Sequence, residues 1–213
     1  MTLSTKAQSI IDEFDPDKPV MGKLKKRAAE IKTDHTLALE IWSEGSYSAR
    51  LFAALIMDKA QLDLAAIEAL ADDLDQMSED NCNRISEWLM ANQLMKSAKT
   101  KALLENWADH PSAVLRRLYW YHQARLRWTG KIPIDNADDL MTAIEAKMGD
   151  EDPRVQWSMN FLAGWIGVFE PDQRKRVVNL GEQLGLYKDE KRVKGCTPNY
   201  LPEFVEVEVA KRV

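Results

Sequence analysis

Residues 37–55 read LALEIWSEGSYSARLFAAL, and residues 102–120 read ALLENWADHPSAVLRRLYW. Both begin as an apolar helix with a glutamate and a tryptophan near its end. A short break of Gly, Ser, Asp or Pro follows, and then a second apolar helix. Leu39/Leu104, Glu40/Glu105 and Trp42/Trp107 fall in register. A third copy, AIEAKMGDEDPRVQWSMNFLA at 143–163, keeps Ile144 and Glu145 and opens its second helix with Pro153. Breaks of this kind end one helix and cap the next.

Working outward, paired helical patterns cover 36–43 with 47–57, 64–75 with 80–97, 101–109 with 112–128, and 137–148 with 153–169. A further helix over 171–184 stops at Gly185. The matching glutamates lie 65 and then 40 residues apart, which leaves room for a degenerate pair between the first two copies. Helix pairs repeating every ~30–45 residues predict an α-solenoid of the HEAT class, because one pair cannot bury its apolar stripe alone. The expected fold is therefore all-α: antiparallel helix pairs in a single curved domain over 1–213. Residues 1–33 form an N-terminal helical cap, 34–185 the repeats and 186–213 a C-terminal cap or tail. An irregular helical bundle is the other reading of the same pattern.

Composition agrees with that architecture. Apolar residues make up 45 % of the 213, enough for a substantial core. Glycine (9) and proline (8) are sparse, which favours helix over sheet. The apolar run Leu51–Met57 is too short to span a bilayer. The acidic N-terminal stretch lacks a signal-peptide layout, so a cytoplasmic location is expected. Cys82 and Cys196 fit free thiols in a reducing compartment, with Cys196 expected to be buried in the tail. No metal-ligand spacing, glycine-rich phosphate loop or Ser/His/Asp arrangement stands out, so no metal or cofactor is expected.

The net charge of −5 argues against nucleic acid as a partner, but its distribution argues for it. Residues 58–80 hold eight acids against Lys59, a net −7. Residues 96–131 hold Lys96, Lys99, Lys101, Arg116, Arg117, Arg125, Arg127 and Lys131 against Glu105 and Asp109, a net +6. A local cationic surface binds phosphate even on an acidic protein, whereas solvated helix faces of opposite sign are the plainer reading. On helix 112–128, Leu115, Leu118 or Tyr119, His122 and Leu126 follow core spacing. Arg117, Tyr121 and Arg125 make a separate stripe, four residues apart, suited to phosphate and sugar contact. Trp88 and Asn92 share one helix face, an aromatic plate beside a short polar group.

These segments resemble the DNA alkylation repair family of HEAT-repeat DNA glycosylases, the AlkD-like group. The resemblance runs through GKLKKRAAE (22–30), residues 35–55, the Trp-x-x-x-Asp region at Trp88–Asn92, Arg116-Arg117, LAGWI (162–166) and KGCTPNYLPEF (194–204). It implies a concave, cationic cradle for double-stranded DNA, alkylated or distorted, and hydrolysis of the N-glycosidic bond of 3- or 7-alkylpurines without base flipping. Carried over by position, Trp88 and Trp165 are the aromatic plates, and Asn92 stands where the family has its catalytic aspartate. Arg117 is the phosphate arginine, with Arg116 the alternative. Tyr121, Arg125, Arg127, Lys96 and Lys99 widen the DNA-binding surface. A carboxylate opposite a developing sugar cation acts through its charge, and Asn92 supplies none. The alternatives are a non-catalytic binder of damaged, bent or branched DNA and a solenoid scaffold for a protein partner.

Overall fold

In the computed structural model, which describes residues 3–130, 135–191 and 193–212, every regular element is helical. The helices are α1 (Thr5–Ile11), α2 (Met21–Ile31), α3 (His35–Trp42), α4 (Tyr47–Ile56), α5 (Leu64–Asp75), α6 (Glu79–Asn92), α7 (Ala98–Leu104), α8 (Ala113–Trp128), α9 (Ala137–Lys147), α10 (Pro153–Phe169), α11 (Arg174–Leu184) and α12 (Leu201–Ala210). The chain divides into two compact units, 1–115 and 116–213.

Side-chain caps set many of the starts. Ser4, Asp34, Ser46, Asp63, Ser78 and Asp152 each accept a hydrogen bond from a backbone N–H in the first turn of the following helix. Gly185 ends α11 in the left-handed conformation, at φ 63°, as its place in the sequence predicts.

In the first unit α4 is the central rod. Ser48 to Ala54 and Ile56 are buried, and α2, α3 and α6 pack around it. A helix this rich in apolar residues has to be enclosed in this way, and each Leu, Ile or Phe so buried contributes about 1.5–3 kcal/mol. In the second unit α10 plays the same part, surrounded by α9, α11 and α12. The pairs α3/α4, α5/α6 and α9/α10 are in contact, as the repeat pattern predicts.

The copies are less alike than their sequences. Trp42 and Trp107 are both buried, but Leu104 is buried while Leu39 is 43 % exposed. The helix expected over 80–97 breaks at Gln93, whose side-chain amide donates to the Ala54 carbonyl at 2.7 Å, and a 3-10 turn follows at Leu94–Lys96. The helix expected over 101–109 is α7, which ends at Leu104. Cys82 is buried, but Cys196 is exposed, contrary to the expectation for the tail: it lies in an irregular stretch ahead of α12.

The tail does contain a well-packed helix. An added Cβ on Gly164 would meet the Phe204 ring at 2.7 Å, and one on Gly181 would meet Leu201 Cβ at 2.6 Å. The LAGWI glycine is thus a seat for α12. Glu208 ties α12 to the preceding stretch through Thr197 and is paired with Lys211 and Arg212 just past the end of the helix. Burial works against its carboxylate, but the hydrogen bonds from Lys211, Thr197 and Arg212 prevail and hold its pKa at about 2. The folded pKa lies below the ordinary 4.5, so this stabilisation is complete above pH ~4.5 and lost as pH falls toward 2. Glu208→Gln is expected to flatten the fall in melting temperature across that window; a slope equal to wild type would count against the linkage.

Candidate functional site

In the first unit, the C-terminal half of α6 carries Trp88 and Asn92. Trp88 is half-buried, and its indole N–H donates to the Leu51 carbonyl of α4 at 3.0 Å. With the Gln93 bond to Ala54, this pins the end of α6 to the central rod. The ring orientation is thereby fixed. The Lys25 ammonium of α2 stands over the ring, 5.3 Å from its centroid. Asn92 is the last residue of α6, and its amide donates back to the Trp88 carbonyl at 2.8 Å. An aspartate, being an acceptor only, could not make that bond. Lys96 and Lys99 follow just beyond, both exposed.

Position carries the cue for Trp88 and Asn92, but not for Lys25. It lies 63 residues from Trp88 in a lysine-rich segment, and only the packing of α2 on α4 brings it there.

In the second unit the arginines face inward. Arg117 is 1 % exposed, and its guanidinium lies against the rings of Tyr121 and Trp157, at 5.5 and 5.3 Å. Arg116 makes a two-pronged ion pair with Glu151, at 2.7 and 3.1 Å. Burial works against the Glu151 carboxylate, but the Arg116 guanidinium and the Asp152 N–H hold it below its ordinary range. Arg127 is 1 % exposed, donates to Asn136 at 2.8 Å and stands 3.6 Å from Glu170. Burial lowers its pKa against the opposing pull of Glu170. Arg125 is half-buried and lies over Trp128. Tyr121 is buried and stacks with Trp157 and Phe161. Lys131 falls outside the described residues.

Trp165 is 5 % exposed. Its ring stacks on Phe169 and Trp128, meets Phe161 and Phe204 edge-on, and has the Arg212 guanidinium 5.0 Å from its centroid. Among the described residues its buried indole N–H has no hydrogen-bond partner. Of the expected core residues of α8, Leu115, Leu118 and His122 are buried, while Tyr119 and Leu126 are half-buried. Among the described residues no group of three His, Cys, Asp or Glu is arranged to hold a metal ion, and no helix is long and apolar enough to cross a membrane.

The profile of the DNA alkylation repair enzyme family matches residues 17–178, a span that covers both the Trp88–Asn92 face and the Arg116–Trp165 region. The chain belongs to that family. A solved structure described as "a new family of proteins related to the HEAT-like repeat DNA glycosylases with affinity for branched DNA structures" is similar over 99 % of this chain and 90 % of its own, with a TM-score of 0.68 and 16 % identity. The fold is therefore the all-α, HEAT-like repeat fold. No curated protein sequence matches the chain.

Proposed function

We propose that this member of the DNA alkylation repair family binds DNA through its sugar–phosphate backbone without hydrolysing the N-glycosidic bond. The observation that carries this reading is the Asn92 amide, turned back onto the Trp88 carbonyl. The position the family resemblance gives to a carboxylate holds a neutral group already engaged with its own helix. Losing one such electrostatic group costs on the order of 2.7–4 kcal/mol of transition-state stabilisation. The exposed Lys96 and Lys99, which follow α6 in the chain, support phosphate contact, and so does the affinity for branched DNA described for the structurally similar protein. Arg116, Arg117 and Arg127 support it less, because each is already held within its own unit.

Titration of labelled duplex and four-way-junction DNA at several salt concentrations tests binding. Affinity should fall steeply with salt, and affinity indifferent to salt would defeat the reading. A second reading, alkylpurine glycosylase activity, is supported by Trp88, whose ring is fixed on a half-buried face. Release of methylpurines from methylated duplex above the spontaneous rate would establish it in place of the first.

A further inference from the structure

We infer that the Trp88 face is an anion-selective site for a deoxyribose–phosphate unit, and that Lys25 sets its sign. The inference deepens the DNA-binding reading above and rests on it.

Three features converge. The Trp88 indole is locked by its bond to Leu51, so one aromatic plate is presented in a fixed orientation. Asn92, one turn on, contributes a dipole and no charge. Lys25 supplies a full positive charge over the same ring. Among the described residues no carboxylate pairs with Lys25, and its aromatic contact is its one charge interaction. Lys6 and Lys211 differ, being matched to Asp34 and Glu208. A ring face holds an ammonium without neutralising it. The N–H donors of Lys25 that point away from the ring are available to an incoming anion.

The family resemblance implies a carboxylate beside the tryptophan, a combination that welcomes a cationic sugar. Here an amide and an ammonium stand beside it, and the charge preference is reversed. A neutral deoxyribose would take the ring face that the Lys25 ammonium covers, and Lys25, exposed on α2, would pass to the adjoining phosphate, since sugar and phosphate alternate along the backbone.

Two duplexes test this, one carrying a neutral tetrahydrofuran abasic analogue and the other a cationic pyrrolidine analogue at the same position. Wild type should bind the neutral duplex about tenfold more tightly. Lys25→Gln should abolish that preference and reduce the slope of log affinity against log salt by about one. Lys25→Arg should retain both. Lys25 is exposed, so unchanged circular dichroism is expected for each variant. The inference is overturned if wild type prefers the cationic duplex. It is overturned equally if a folded Lys25→Gln protein keeps the wild-type preference and salt slope while still binding DNA; the broader DNA-binding reading would then stand. Failure of wild type to bind either duplex or a four-way junction would instead remove that broader reading and this site with it.

Discussion

Trp165→Ala is expected to destabilise the second unit by about 3–5 kcal/mol, the usual cost of deleting a buried Trp or Phe side chain. Trp165 is 5 % exposed, and Phe161, Phe169 and Phe204 touch it from α10 and α12. The cavity would open beneath Phe204, so α12 should loosen first. Trp165→Phe is expected to behave quite differently. The indole N–H of Trp165 is buried and has no partner among the described residues, a state that itself costs about 1–3 kcal/mol. Removing that donor while keeping an aromatic ring should offset much of the lost packing, leaving a net change below about 1 kcal/mol. Urea unfolding followed by circular dichroism separates the two substitutions. An alanine variant as stable as wild type would mean that the ring is a free plate and not part of the core.

The fold was legible in the sequence because its signals are local. Apolar periodicity, the Ser and Asp caps, Pro153 and Gly185 all act within one helical turn. They place α3, α4, α5, α9 and α10 within one or two residues of where the sequence reading sets them. The tail was not legible as a helix: α12 has its reason in the glycines of α10 and α11, which leave room for Phe204 and Leu201. The break at Gln93 is likewise tertiary, since it depends on a carbonyl 39 residues away.

The candidate site divides along the same line. The pairing of Trp88 with Asn92 follows from helix spacing alone. What becomes of a charged side chain does not, because it depends on which acid or ring lies opposite. The block 96–131 reads as one cationic stretch, but its lysines and arginines have separate fates. Lys96, Lys99 and Lys101 remain in solvent, while Arg116 meets Glu151 and Arg117 lies against two rings. Guanidinium is planar and weakly hydrated, so it tolerates enclosure and stacking better than ammonium does. A count of positive charges is therefore a poor measure of the surface offered to phosphate.

Asn92→Asp, the substitution that supplies the carboxylate the family resemblance implies at this position, is expected to raise methylpurine release less than tenfold on its own. The variant loses the bond to the Trp88 carbonyl, worth about 0.5–1.5 kcal/mol. It also sets a negative charge at the C-terminus of α6, unfavourable by about 0.3–1 kcal/mol against the helix dipole. A fall in stability of about 1–2 kcal/mol should follow from these two effects. The larger obstacle is Lys25. A sugar cation on Trp88 would compete for the ring face that the Lys25 ammonium covers, and like charges ~5 Å apart repel by about 3 kcal/mol at an effective dielectric near 20. That nearly cancels what one well-placed electrostatic group contributes to a transition state. Lys25→Gln together with Asn92→Asp should therefore exceed the sum of the single changes, raising release about 10²-fold over wild type on duplex containing 3-methyladenine or 7-methylguanine. A hundredfold gain from Asn92→Asp alone would show that Lys25 does not act on the sugar. No gain from the double variant would show that the missing charge is not what separates this protein from a glycosylase.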